Sequence, residues 1–146
     1  MRIDLFLRQS PTFQISRIAR QMEVSLNLAL RLEEVNMLEA LTLAAILFEK
    51  RGETKPSALA KAFETTRGNM SHCISSLEAK GLVKRRIDAE DARAVQLLLT
   101  AQGRKRAARV VGVLDRMQRR FEEGIGAAKL ASMLARMNAV AALSSS

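Results

Sequence analysis

Residues 80–100 read KGLVKRRIDAEDARAVQLLLT. Cations at Lys80, Lys84, Arg85 and Arg86, with a fifth at Arg93, bracket a short acidic stretch, and apolar residues lie on both sides. Leu82, Val83 and Ile87 form a short β-like run, and Val95, Leu97 and Leu99 alternate with Gln96 and Leu98. Between them the polar residues 88–92, DAEDA, have the composition of a hairpin tip. The segment therefore predicts a basic β-hairpin, and a hairpin of that charge is suited to pressing against something anionic.

Upstream of it the pattern is helical. Ser10-Pro11 is a helix start, with Ser able to cap and Pro tolerated at the first helical position. Ile15, Ile18, Ala19, Met22, Leu26, Ala29 and Leu30 carry that helix to about Glu34, and Leu5, Phe6 and Leu7 precede it. Asn36 with Glu39 resembles a capping box opening a second helix through Leu38, Leu41, Ala45 and Phe48, which Gly52 ends. Lys55-Pro56-Ser57 opens a short third helix with Leu59, Ala62 and Phe63 inward. Thr65-Thr66 caps a fourth, whose stripe of Met70, Cys73, Ile74 and Leu77 is apolar at i, i+3, i+4 and i+7. Gly81 is its C-terminal stop. Beyond the hairpin, Thr100 caps a long fifth helix through Val110, Leu114, Met117 and Phe121, broken at Gly124 and Gly126. A last helix carries Leu130, Met133, Leu134, Met137 and Val140. Helix, short helix, turn, helix and hairpin in this order make a winged helix-turn-helix, a mainly α class with a small β wing.

Composition narrows the partner. The chain of 146 residues has a formal net charge of +9. Residues 1–80 carry 11 Lys+Arg against 9 Asp+Glu, whereas residues 81–146 carry 13 against 6. A positive field gathered in one half favours a polyanion, either nucleic acid or an anionic membrane surface. No run reaches the ~18 apolar residues of a membrane span. The single cysteine excludes an internal disulfide and a multi-thiol zinc site, and fits a reducing, cytoplasmic home. The chain shows no secretory leader pattern. With one histidine, no Cys–His–acid set and no phosphate-cradling glycine loop, an enzyme is not expected, nor a cofactor or metal.

The fourth helix running into EAKGLVKRRID, then DARAVQLLLTAQGR, resembles the multiple-antibiotic-resistance regulator (MarR) family of bacterial transcription factors. The residues that carry the resemblance are Leu77, Gly81-Leu82-Val83-Lys84-Arg85, Asp91-Ala92-Arg93, and Leu99-Thr100 with Gly103. It is continuous over residues 59–106. It implies a single MarR-like domain over 1–146, with a winged-helix DNA-binding lobe at 36–100. Dimerisation helices at 1–35 and 101–143 would pair two copies as a homodimer on a pseudo-palindromic site. It implies a sequence-specific regulator of double-stranded DNA, more commonly a repressor, and a possible small-molecule effector. With no Trp or Tyr in the chain, no aromatic cage for such an effector is identifiable.

The residues themselves suggest the contacts. Opposite its stripe the fourth helix presents Arg67, Asn69, Ser71, His72, Ser75 and Ser76, with only Glu78 opposing phosphate. Asn can read an adenine edge and Ser can contact bases or phosphate. A solvated helix face is the plainer alternative. In the hairpin, Arg93 is placed to enter a minor groove or grip a phosphate. The resemblance implies this role, with Asp91 shaping the wing by pairing with Arg85. Lys84 and Arg86 are expected phosphate contacts, and a nearby phosphate backbone would account for Arg104, Lys105, Arg106 and Arg109 at the start of the fifth helix, where cations oppose the macrodipole. Cys73, on the apolar stripe, is expected in the core, and adjacent His72 points elsewhere. The rival function is a winged-helix module for protein contacts without specific DNA binding.

Overall fold

The computed structural model describes residues 2–49, 53–87, 90 and 94–145. They form α1 (Arg2–Gln9), α2 (Pro11–Ala29), a 3-10 turn (Arg31–Glu33), α3 (Met37–Phe48), α4 (Pro56–Ala62), α5 (Arg67–Ala79), β1 (Val83–Ile87), β2 (Val95–Leu99), α6 (Ala101–Ile125) and α7 (Ala127–Ser144). The chain divides into two compact units, Asn27–Val113 and the pair of segments Met1–Leu26 and Leu114–Ser146.

The unit Asn27–Val113 has the closed core. Leu30, Leu43, Met70, Ile74, Leu77, Leu82, Leu97 and Val110 are each almost wholly buried. Full burial of a side chain of this size stabilises by ~1.5–3 kcal/mol, so this set supplies the main cohesion of the unit. The expected stripe of α5 is buried at all four positions. Asn36 and Glu39 make the capping box in full, each side chain accepting from the other's backbone N–H at 2.9 and 3.2 Å.

Two expectations change here, and a third falls outside the described residues. The helix expected to run to about Glu34 stops at Ala29, and Glu34 adopts a left-handed φ of 57°. No Gly or Pro marks this end, because distant side chains satisfy the turn. Asn27 Oδ1 accepts from the Met37 N–H at 3.0 Å, Lys80 Nζ donates to the Glu34 carbonyl at 2.7 Å, and Arg106 donates to the Glu33 carbonyl. In α4 the buried pair is Leu59 and Ala60, and Ala62 is exposed. The expected stop at Gly52 lies outside the described residues, and α3 ends at Phe48 with Glu49 extended.

Two glycines shape the passage from α5 into the wing and α6. Gly81 has φ +73°, and around it Leu82 N–H reaches the Leu77 carbonyl while Gly81 N–H reaches that of Glu78. This pair of bonds is a Schellman stop. β1 and β2 then pair antiparallel, with Val83 opposite Leu99 and Ile87 opposite Val95. Thr54 extends this pairing by accepting from the Leu97 N–H at 2.8 Å. Thr100 caps α6 by accepting from Gly103 N–H at 2.9 Å, and its hydroxyl donates to the Gly81 carbonyl at 2.6 Å. At Gly103 a Cβ would stand 1.8 Å from the Leu82 carbonyl oxygen, so only glycine permits this contact.

The other unit contains α1, α7, most of α2 and the second half of α6. Residues 2–9, which the sequence pattern left ahead of the first helix, are helical in their own right. Gly124 continues α6, and the break falls at Gly126, whose φ is +93°. Leu130 is the one hydrophobic residue buried here among those described, while Leu5, Phe6, Met22, Val24, Met133 and Leu134 are exposed.

Candidate nucleic-acid interface

The site is built on α5 and the hairpin that follows it. Because Met70, Cys73, Ile74 and Leu77 are drawn into the core, the helical period turns Arg67, Asn69, Ser71, His72 and Ser75 to solvent. Thr66 fixes where the helix begins by accepting from Asn69 N–H at 3.0 Å. Asn69 in turn donates its side-chain amide to Thr65 Oγ1 at 3.2 Å. Arg67, Ser71 and His72 make no side-chain hydrogen bond among the described residues.

Ser76 behaves differently from its neighbours. It is half-buried and donates to Glu39 Oε2 at 3.0 Å, so its hydroxyl turns towards α3 and away from the exposed face. Lys80 joins the same acceptor at 2.7 Å. Glu39 is a buried carboxylate, and between them the Asn36 N–H, the Ser76 hydroxyl and the Lys80 ammonium satisfy both of its oxygens. A buried charge is tolerated only when so satisfied. Lys80, counted from the sequence among the cations around the wing, is thus a structural tie between α5 and the start of α3.

Among the described residues Arg85 pairs with Glu78, which accepts from Nε at 2.7 Å, and its Nη2 donates to Ser75 Oγ at 3.3 Å; the expected pairing with Asp91 falls outside them. Arg93 lies outside them as well. The Glu78 pair is about one-third exposed on both sides, so it contributes ~0–1 kcal/mol to stability. Its larger effect is electrostatic. The one carboxylate at this end of α5 is neutralised by a wing cation, and β1 is tied to the recognition-type helix. Lys84 and Arg86 are exposed, and Arg86 donates to Gln96 Oε1 at 2.7 Å across the hairpin.

The cations at the start of α6 separate into two kinds. Arg106 and Arg109 both pair with Glu33, at 3.5 and 2.9 Å. That carboxylate accounts for them without a phosphate. Arg104 and Lys105 are exposed and form no ion pair among the described residues.

Cys73 is buried, with its sulfur 3.6 Å from Thr42 Oγ1. Burial pushes the thiol above its ordinary range, the Glu39 charge adds to this, and the Thr42 hydrogen bond and Lys80 act against it. The expected core role holds.

Sequence reasoning missed two contributors. Ser57, at the start of α4, is exposed and stands with Arg67, Ser71 and Arg85 around one cleft. It was read only as part of a helix start, and nothing local marks it otherwise. Glu39 was read as a cap alone, since its partners Ser76 and Lys80 are remote in the chain.

A four-residue turn between α4 and α5, an exposed polar face on α5 and an antiparallel hairpin against it define a winged helix-turn-helix, the architecture of DNA-binding transcription regulators. The model of the MarR family matches residues 36–95, the span of this lobe. Among solved structures, Staphylococcus aureus MepR in complex with DNA is 23% identical, with a TM-score of 0.81 over 93% of this chain and 97% of that one. BldR from Sulfolobus solfataricus, a transcriptional regulator, is 25% identical, with a TM-score of 0.72 over 97% and 98%. CouR from Rhodococcus jostii RHA1 bound to p-coumaroyl-CoA is 21% identical, with a TM-score of 0.77 over 92% and 94%. CouR as a transcriptional repressor on a 23-mer DNA duplex is 20% identical, with a TM-score of 0.78 over 93% and 95%. No curated protein is similar enough in sequence to match. Among the described residues no helix is long and apolar enough to cross a membrane.

Proposed function

We propose that this chain is a cytoplasmic, sequence-specific regulator of transcription that binds double-stranded DNA as a homodimer on a pseudo-palindromic operator. Repression relieved by a small-molecule effector is the mode we favour. The observation that carries the DNA reading is the exposed face of α5, where Arg67, Asn69, Ser71, His72 and Ser75 stand free of the core while Arg85 neutralises Glu78. A face of hydroxyl, amide, imidazole and guanidinium groups can both grip phosphate and read base edges in the major groove. In this reading Lys84 and Arg86 add backbone contacts, Arg93 is the wing residue that reaches the minor groove, and Asp91 shapes the wing around it. Ser76 is excluded because its hydroxyl serves Glu39.

The homodimer is supported by the exposed apolar side chains of α1, α2 and α7, which a second copy would cover. The repressor and effector readings rest on likeness to CouR, known both on DNA and with p-coumaroyl-CoA.

The test is a fluorescence-anisotropy titration of the gene's own upstream region against a scrambled duplex, over a salt series, for the wild type and Arg93→Ala. Tighter binding to the upstream DNA, steep loss with salt and clear weakening in the variant are expected. Weak, equal binding to both duplexes, indifferent to Arg93, would sink the DNA reading and leave a module for protein contacts.

A further inference from the structure

α4 packs on α5, and between them and β1 lies a cleft of about 290 Å³. Its floor is apolar, with Met70 and Ile74, and its rim carries the guanidinium groups of Arg67 and Arg85 and the hydroxyls of Ser57 and Ser71. Among the described residues the lining includes no carboxylate, and the neighbouring Glu78 is paired with Arg85. Arg85 is held in place by Glu78 and Ser75, through Nε and Nη2, which leaves further N–H donors of its five for another acceptor. Arg67, Ser57 and Ser71 make no side-chain hydrogen bond among the described residues, and all three are exposed. Two guanidinium-bearing residues, Arg85 being already paired with Glu78, and two serines thus line one open space with an apolar floor, where attraction to an anion is stronger than in bulk water.

We infer that this cleft seats one backbone phosphodiester of the bound duplex, with Arg67 and Arg85 on its two non-bridging oxygens and Ser57 and Ser71 as neutral donors. The inference rests on the DNA reading above and refines it. A phosphodiester suits the cleft better than a compact free anion does, because the apolar floor is matched by the edge of a deoxyribose. The assignment divides the exposed face of α5. Arg67 and Ser71, nearest α4, set position on the backbone, which leaves His72 and Ser75 for base edges.

The experiment measures binding of the upstream and scrambled duplexes across a salt series for wild type, Arg67→Gln, Arg67→Lys and Ser57→Ala, each first checked for an unchanged melting temperature. Arg67→Gln is expected to weaken both duplexes alike by roughly tenfold and to lower the salt slope by about one per protomer. Arg67→Lys should restore the slope. Ser57→Ala should weaken both duplexes by roughly threefold at unchanged slope, as loss of a neutral donor does. Titration with inorganic phosphate, followed by amide NMR, should show no saturable binding below ~1 mM.

A loss confined to the upstream duplex in Arg67→Gln would make Arg67 a base reader and overturn the assignment. So would indifference of both duplexes to Ser57→Ala, or tight inorganic phosphate binding, which would mark a free-anion site. Failure of the wild type to bind either duplex in a salt-sensitive way would instead remove the DNA reading itself.

Discussion

The two units of this chain solve the burial problem differently. In Asn27–Val113 a set of large apolar side chains is enclosed, though Leu28, Leu32, Phe48 and Ile87 stay exposed, and its buried polar groups Glu39, Thr42 and Thr54 all have partners. In the unit made of Met1–Leu26 and Leu114–Ser146, Leu130 is buried while Ile3, Leu5, Phe6, Ile18, Met133 and Leu134 are open. The same helical periodicity runs through both. Periodicity therefore tells which face is apolar but does not tell what covers it, whether the chain's own core or another molecule. The first unit closes on its own core, and the second leaves apolar side chains of its helices uncovered.

The contrast is broken most directly at Gly103. Gly103→Ala would drive a methyl into the Leu82 carbonyl and should cost ~3 kcal/mol or more, read as a large fall in melting temperature. A melt within a degree or two of wild type would mean that the start of α6 is not held as described. Next in size, the paired change Phe6→Glu with Leu134→Glu should shift a dimer to monomer in light scattering while leaving the closed unit folded. An unaltered dimer would place the interface elsewhere.

Glu39→Ala removes the shared acceptor of Ser76, Lys80 and the Asn36 N–H, and should destabilise by ~2–3 kcal/mol in urea unfolding, with Glu39→Gln milder. Equal losses from both variants would show that the negative charge and the second acceptor oxygen matter more than the side chain's shape. Cys73 gives a smaller, pH-dependent effect. Its thiol is held above the ordinary range, so once pH passes ~8.5 the unfolded chain loses a proton that the folded chain keeps, and stability falls as pH rises further. Cys73→Ala should flatten that alkaline slope, and an unchanged slope would assign it to other groups. The smallest change is expected at Glu64, whose φ is 51°; Glu64→Gly should raise stability by ~0.5 kcal/mol, and a loss of stability would argue that its side chain contributes.

What could be read from the sequence were features with local causes. The stripe of α5, the Asn36 cap, the stop at Gly81 and the hairpin each depend on residues within a few positions of one another, and each is present. What could not be read depends on remote partners. The end of α2 is fixed by Asn27, Lys80 and Arg106, which meet a turn that has no breaker of its own. Arg85 turns to Glu78 and Ser75, and Ser57 joins the cleft only because α4 folds against α5. The cations of α6 looked alike in sequence, yet Glu33 claims Arg106 and Arg109 and leaves Arg104 and Lys105 exposed.

The lone thiol has one more use. Cys73 sits on the buried side of the helix that presents the candidate DNA face, and it is the only sulfhydryl in the chain. A thiol reagent can reach it only when that helix lifts from α3, so the labelling rate is a direct clock of the breathing of the recognition element. Run with and without DNA, that clock would count how often α5 lets go of its own scaffold.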